Sequence, residues 1–158
     1  MHQDKLPRRR FLQTAAYFGS LTATLSAGLL APAHAWAAWN KAAFEAKAVS
    51  AVLQQLGAGT PIESTKILIK APEIAENGAV VPIEITSLIA GTTAISVLVD
   101  KNPTPLISTL QFANGTDGFV STRIKMGETS PVRVVVQAGG KFYTTSKVVQ
   151  VTLGGCGG

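Results

Sequence analysis

The first regular hydrophobic pattern along the chain runs from residue 40 to residue 56. Apolar side chains recur every three or four positions, as on one face of an α-helix: Phe44, Ala48, Val49, Val52, Leu53 and Leu56. Asn40 precedes the pattern as an N-cap residue, and Gly57 follows it where a left-handed cap often ends a helix. The pattern predicts one helix, Asn40 to Leu56. Its apolar stripe is expected to pack on its own domain or to contribute to a subunit interface.

From Thr65 onwards the apolar residues follow the patterns of β-strands. Seven strands are predicted, over residues 66–70, 80–86, 94–99, 106–112, 119–126, 132–138 and 142–153. Val, Ile and Thr dominate them, as β-propensity favours. Turn sequences such as Glu76-Asn77-Gly78 and Gly139-Gly140 separate them, and Pro82 marks an edge, a strand start or a bulge. This spacing is typical of an antiparallel sandwich. We expect an all-β, immunoglobulin-like fold with one N-terminal helix.

Two of the predicted strands alternate clearly between an inward and an outward face. The inward residues are Val120, Thr122, Ile124 and Met126 in one strand and Val132, Val134 and Val136 in the other. The outward residues include Arg123, Lys125 and Arg133, which the pattern places on one exposed face. Scattered basic residues of this kind usually contact solvent, so we assign them no partner.

The first 35 residues have the three parts of a secretory signal peptide. Basic residues precede a moderately apolar run, residues 14–31, which is too polar and interrupted for a membrane span, and Ala33-His34-Ala35 forms a cleavage signature. The residues that match the twin-arginine motif R-R-x-F-L are Arg8, Arg9, Phe11 and Leu12. We expect export to the periplasm by the twin-arginine pathway and cleavage after Ala35 or Ala37; the alternative is an ordinary secretory peptide that has three arginines.

Removal of residues 1–35 changes the chemistry available to the chain. The whole sequence has 158 residues and a net charge of +5, but both histidines lie in the leader. The predicted mature chain, from residue 36, has ten basic and eight acidic residues, no histidine and one cysteine, Cys156. It therefore lacks the residues of a Ser-His-Asp or Cys-His mechanism, imidazole ligands for zinc or copper, and the charge of a nucleic-acid surface. We predict no catalytic residue, no cofactor and no metal site.

The remaining reactive group is the thiol of Cys156, in the segment 154–158 that follows the predicted helix-and-sandwich domain, residues 36–153. Glycines flank it on both sides: Gly154, Gly155, Gly157 and Gly158. Glycine samples both signs of φ and has no side chain to dock, so the segment is expected to act as a flexible arm. A structural thiol, an intermolecular disulfide and a carrier thiol are the three interpretations. Nothing in the arm supplies the positive charge that activates a thiol enzyme, which favours the carrier.

An exported, β-rich chain that ends in Gly-Gly-Cys-Gly-Gly resembles the SoxY family, the sulfur-carrying subunits of bacterial thiosulfate-oxidising (Sox) systems. Residues 154–158 match the family's terminal pentapeptide residue by residue. The resemblance implies a non-catalytic carrier whose Cys156 holds sulfur intermediates covalently during oxidation of thiosulfate to sulfate.

The resemblance also implies partners. One is a SoxZ-like small β subunit that forms a heterodimer and lacks an export signal, which agrees with export of a folded pair. The transient partners are the haem enzyme SoxAX, the manganese hydrolase SoxB and the molybdenum-haem enzyme SoxCD. The alternative from another class is a structural or adhesive immunoglobulin-like domain whose cysteine forms an intermolecular disulfide.

Overall fold

A computed structural model describes residues 40–113 and 115–153 of the chain. The predicted signal peptide, with Arg8, Arg9, Phe11 and Leu12, lies outside the described residues. So does the predicted arm: Gly154, Gly155, Cys156, Gly157 and Gly158. No helix in the described part of the chain is long and apolar enough to cross a membrane.

The predicted single helix is wrong, because two short helices form a hairpin over this segment. Helix α1 spans Lys41–Glu45 and α2 spans Val49–Gln55. Ala46 and Ala48 are extended, with ψ of 137° and 143°, which ends the first helix and starts the second. No residue between them is a strong helix breaker, so packing rather than propensity sets the break.

Asn40 joins the two helices. Its Oδ1 accepts a hydrogen bond from the Ala43 N–H at 3.1 Å, as the N-cap prediction requires. Its Nδ2 donates to the Gln55 carbonyl at 2.6 Å. Residues 40 and 55 of one straight helix would lie about 22 Å apart, so this second bond is possible only after the chain has reversed. Gly57 ends α2 in the expected left-handed conformation, with φ of 70°.

Nine strands follow within the described residues. Their bounds are β1 Ile62–Glu63, β2 Ile67–Lys70, β3 Ile74–Ala75, β4 Val81–Ser87, β5 Thr92–Val99, β6 Leu106–Gln111, β7 Gly118–Ile124, β8 Ser130–Ala138 and β9 Lys141–Val151. The larger sheet has the order β1-β9-β8-β5-β6, and β3 also pairs with β9. The smaller sheet has the order β2-β4-β7. The long ladders are antiparallel, so the all-β, immunoglobulin-like sandwich is confirmed.

The core lies between the two sheets and contains the residues expected to face inward. Ile83 and Ile85 of the smaller sheet and Val97, Val134 and Val136 of the larger one are buried together. In β7 and the residues after it, Val120, Ile124 and Met126 are buried as predicted, and Arg123 and Lys125 are exposed. Pro82 lies near the start of β4, beyond the last residue that pairs with β2, which fits its missing N–H.

A second apolar cluster covers part of the outer face of the larger sheet. Leu98, Leu106 and Val135 point outward from the sheet and are buried against the helical hairpin, where Ala43 and Val52 are fully enclosed. The helices therefore pack on their own domain, which was one of the two expectations. This is why Val135 is buried although its neighbours Val134 and Val136 face the other way.

Two differences from the sequence expectations concern β9 and the basic residues. The two-residue strands β1 and β3 were not predicted; both pair in parallel with the same edge of β9, at Tyr143–Thr144 and at Gln150–Val151. The basic residues do not share one face, because Arg123 lies in the smaller sheet and Arg133 in the larger one.

Candidate functional site: the root of the predicted arm

The last residues of β9 are held by the short strand β3 on one side. The Gln150 N–H donates to the Glu73 carbonyl at 2.9 Å, and the Thr152 N–H donates to the Ala75 carbonyl at 3.1 Å. The hydroxyl of Thr152 donates to the Glu76 carbonyl at 3.0 Å. Two residues of β3 are too few to form a stable strand alone, so this pairing fixes β3 and the end of β9 together.

Thr129, in the β7–β8 loop, holds the other side. Its Oγ1 accepts a hydrogen bond from the Val151 N–H at 2.9 Å and lies 3.5 Å from the Val151 carbonyl oxygen. The Leu153 carbonyl accepts a further bond from the Gly78 N–H at 2.8 Å. The Gly78 carbonyl in turn accepts from the Met126 N–H at 2.7 Å. The chain is thus fixed through Leu153, the last residue described.

We call the hydrogen bonds that Glu73, Ala75, Glu76, Gly78 and Thr129 make with residues 150–153 the clamp. Buried polar side chains stiffen the loops next to it. Asn102 donates through Nδ2 to the Lys125 carbonyl at 2.9 Å, and its Oδ1 accepts from the Gly127 N–H at 3.0 Å. The hydroxyl of Ser130 accepts from the Lys101 N–H at 3.1 Å. These bonds join the β5–β6 loop to the β7–β8 loop, which contains Thr129, and to the first residue of β8.

An ion pair lies beside the same loops. Arg133 donates two hydrogen bonds to the Asp100 carboxylate: Nη2 to Oδ2 at 2.7 Å and Nε to Oδ1 at 3.2 Å. Both side chains are largely covered. The hydrogen bond to Asp100 raises the pKa of the Arg133 guanidinium above its ordinary value, although burial opposes the rise. The ion pair therefore favours the charged form of the guanidinium and contributes to the scaffold.

The clamp fixes where the predicted arm starts. Leu153 is exposed and lies three residues before Cys156, so an extended chain carries the thiol about 10 Å beyond it. Among the described residues, no three His, Cys, Asp or Glu side chains cluster as metal ligands. A cavity of about 380 Å³ lies between the β4–β5 and β6–β7 loops, lined by Leu88, Thr92 and Asp117 among others, at the opposite end of the sandwich from Leu153.

The residues that fix the end of β9 have no recognisable pattern in the sequence. Thr129 and Asn102 form hydrogen bonds with backbone groups that lie 22 and 23 residues away in the chain. Thr152 bonds to a backbone carbonyl 76 residues away. No periodicity reports such contacts. The one available signal was their position, because both Asn102 and Thr129 occur in short polar segments between strands, where side chains bond to backbone groups.

The fold and the strand end define a class: an immunoglobulin-like β-sandwich whose last strand is fixed at its end and is followed in the sequence by a glycine-flanked cysteine. The model of the family described as sulfur oxidation protein SoxY matches residues 53–156, from within α2 to Cys156 itself. The chain belongs to the SoxY family.

The solved structures give the same relationship. The sulfur carrier protein SoxY from Chlorobium limicola f thiosulfatophilum is 44% identical, with a TM-score of 0.56, over 62% of this chain and 91% of that chain. A chain from a structure of T cell activation by the bacterial superantigen toxic shock syndrome toxin-1 is 14% identical over 54% of this chain and 98% of that chain, with a TM-score of 0.34, which is too low to indicate a shared fold. No curated protein matches the sequence.

Proposed function

We propose that this chain is a non-catalytic sulfur carrier that holds sulfur-oxidation intermediates covalently on Cys156 and presents them to partner enzymes. The observation that carries the proposal is the clamp at Leu153, three residues before a glycine-flanked cysteine, in a member of the SoxY family. A fixed root combined with a glycine arm gives the thiol a defined reach and free rotation. The 44% identity to the sulfur carrier protein SoxY from Chlorobium supports the same role.

Each step of the proposed cycle takes place in a partner. Oxidative loading joins the Cys156 thiol to the outer sulfur of thiosulfate, which forms an S–S bond and releases one proton and two electrons to a haem enzyme. Water then cleaves the sulfane–sulfone bond, which releases sulfate and leaves a persulfide. Oxidation of that outer sulfur to a sulfonate takes three water molecules, passes six electrons to a molybdenum-haem enzyme and releases seven protons. A second hydrolysis frees sulfate and restores the thiol.

Export and assembly complete the proposal. Arg8, Arg9, Phe11 and Leu12 would direct the chain through the twin-arginine pathway to the periplasm. A SoxZ-like small β subunit would form a heterodimer with the folded domain and be exported with it. SoxAX, SoxB and SoxCD would act as the loading enzyme, the hydrolase and the sulfur oxidase.

Intact-mass spectrometry of the protein from cells grown on thiosulfate tests the proposal. We expect reducible additions of one or more sulfur atoms, with or without oxygen, at Cys156. An unmodified, disulfide-linked dimer as the sole species would reject the carrier role and favour the alternative of an adhesive domain.

A variant with its thiol moved to another surface position tests whether the arm is required in addition to a thiol. Cys156→Ser should abolish thiosulfate-dependent electron transfer in the reconstituted system without a change in thermal stability. The matched control combines Cys156→Ser with Ser121→Cys, which places one exposed thiol on the outer face of β7. That thiol should react with iodoacetamide but accept no thiosulfate. Turnover on the relocated thiol would show that the arm is unnecessary.

A further inference from the structure

The turn between β3 and β4 contains an asparagine followed by a glycine, Asn77-Gly78. In such a pair the backbone nitrogen of the glycine can attack Cγ of the asparagine side chain and close a cyclic succinimide. The ring closes most readily in Asn-Gly sequences, because glycine has no Cβ to shield its nitrogen or to restrict its backbone. Asn77 is exposed, whereas Gly78 is buried. The turn therefore combines an accessible side-chain amide with an enclosed backbone nitrogen.

The side chain of Asn77 is folded back along its own main chain. Its Oδ1 accepts a hydrogen bond from the Ala79 N–H at 2.8 Å, which closes an Asx turn. The atoms of this turn include the Gly78 nitrogen, so the side-chain amide lies over the Gly78 peptide. The bond also draws electron density from Cγ, which makes this carbon a better target for attack.

The nitrogen that would attack is held by the clamp. The Gly78 N–H donates to the Leu153 carbonyl at 2.8 Å, and the Gly78 carbonyl accepts from the Met126 N–H at 2.7 Å. Ring closure requires this nitrogen to lose its proton and turn towards Cγ, and both steps require the bond to Leu153 to break. Amide hydrogen exchange at Gly78 needs the same local opening. The clamp therefore controls both reactions.

The other asparagines in the described part of the chain lack this combination. Asn102 is buried and precedes Pro103, whose nitrogen carries no proton. Asn40 precedes Lys41, which has a side chain beside its nitrogen and begins helix α1. Asn77 is thus the described asparagine best suited to ring closure.

We propose that Asn77 is a site of spontaneous deamidation whose rate is set by the clamp and whose product opens the clamp. The Gly78 nitrogen forms a bond to Cγ of Asn77, the bond from Cγ to Nδ2 breaks, and the amide group leaves as ammonia with the Gly78 proton. Water then opens the succinimide at either carbonyl, which gives aspartate or, more often, isoaspartate. The reaction needs only the folded chain and water, so it does not depend on the sulfur carrier role.

Isoaspartate at position 77 changes the geometry on which the clamp depends. It lengthens the main chain before Gly78 by a methylene group, so the Gly78 N–H no longer lies opposite the Leu153 carbonyl. It also adds a negative charge to a segment in which Glu73 and Glu76 are already exposed, and like charges repel. Residues 150–153 are therefore held less firmly in molecules that have aged.

Peptide mapping by mass spectrometry of the purified protein, incubated in mildly alkaline buffer, measures the reaction. Asn77 should be converted in the folded protein, but at least about tenfold more slowly than in protein unfolded in urea. Thr152→Val removes the hydroxyl that bonds the Glu76 carbonyl and should speed conversion in the folded protein about two- to fivefold. Thr93→Val, which removes an exposed hydroxyl far from the turn, should leave the rate unchanged.

Three results would overturn the control of this reaction by the clamp. If Asn77 stays intact in the folded protein while the unfolded chain is converted, it is not a deamidation site of the native protein. If the folded and unfolded proteins react at the same rate, the bond to Leu153 gives no protection. If Thr152→Val and Thr93→Val have equal effects, the clamp does not set the rate.

Hydrogen exchange in the isoaspartate form, separated by ion exchange, tests the effect of the product. The amides of residues 150–152 should exchange at least about fivefold faster than in the unaltered protein. Asn77→Asp is the matched control, because it adds the charge without lengthening the main chain, and it should retain most of the protection. If the isoaspartate form is as protected as Asn77→Asp, the product does not open the clamp.

Discussion

The clamp at the root of the arm can be tested with one isosteric substitution, Thr129→Val. The hydroxyl of Thr129 accepts from the Val151 N–H at 2.9 Å, and its contact with the Val151 carbonyl at 3.5 Å is too long to add much. Valine keeps the shape and the β-branch of threonine but removes the acceptor. The substitution therefore leaves the half-buried Val151 N–H without its partner.

The expected cost follows from the burial of that group. A fully buried donor without a partner costs about 1–3 kcal/mol, and water can replace part of the bond at a half-buried position. We expect a loss of about 1 kcal/mol, which lowers the Tm of a domain of this size by about 4 °C. If the strand end opens locally, the same loss of about 1 kcal/mol lowers the free energy of that opening, so amide exchange there becomes about fivefold faster.

Hydrogen exchange and urea unfolding measure the two quantities. In the unaltered protein the amides of Gln150, Val151 and Thr152 should be protected, because each donates to a defined acceptor. In Thr129→Val their exchange should rise, while Val134 in the central strand β8 changes only by the global loss. Thr93→Val is the matched control: its hydroxyl donates to the Gln137 carbonyl at 3.2 Å in an exposed position, so its effect should stay below about 0.5 kcal/mol.

Two results would refute the clamp. If the amides of residues 150–152 already exchange freely in the unaltered protein, the strand end is open and the predicted arm starts earlier than Leu153. If Thr129→Val and Thr93→Val shift exchange at these residues equally, Thr129 has no special role.

Three further substitutions test the scaffold by their urea unfolding midpoints. Leu98→Ala should cost about 2–5 kcal/mol, because it opens a cavity under the helical hairpin; a loss no larger than that of the exposed Leu68→Ala would show that the hairpin does not pack there. Asp100→Ala leaves the largely covered Arg133 guanidinium unpaired and should cost about 1–3 kcal/mol, whereas Glu84→Ala, which breaks the exposed pair with Lys70, should cost at most about 1 kcal/mol. Equal losses would contradict this order. Gly140→Ala should cost about 1 kcal/mol, since Gly140 has φ of 72° in the β8–β9 turn; a neutral effect would mean that the turn adopts another conformation.

Periodicity was sufficient for the long strands because their burial alternates along the chain. In β7, Val120 and Ile124 face the core while Ser121 and Arg123 face solvent, and this pattern is readable in any window of seven residues. The Gly139-Gly140 turn has positive φ at both positions, which the residue types favour. The sandwich was therefore predictable from local patterns alone.

The helical hairpin was not predictable by the same means. Residues 40–56 keep a helical period through Ala46, Lys47 and Ala48, and none of these residues ends a helix by propensity. The break occurs because two short helices allow Ala43 and Val52 to be fully buried on the outer face of the larger sheet. The strands β1 and β3 were missed for a related reason, because two residues show no periodicity and depend on the edge of β9 for their pairing.

For the site, the glycine-flanked cysteine could be found in the sequence, but the residue at which the predicted arm starts could not. The arm is short only because residues 150–153 are bonded to Glu73, Ala75, Gly78 and Thr129, all of them distant in sequence. Had the strand ended freely at residue 149, the thiol would reach about 24 Å from its anchor, and an enzyme could work on it without touching the domain. The clamp shortens that reach to about 10 Å, so an enzyme with a recessed reactive centre has to approach the domain near Leu153. Under the proposed function, the bonds that fix Leu153 therefore make the fit of an enzyme to the domain a condition for reaching Cys156.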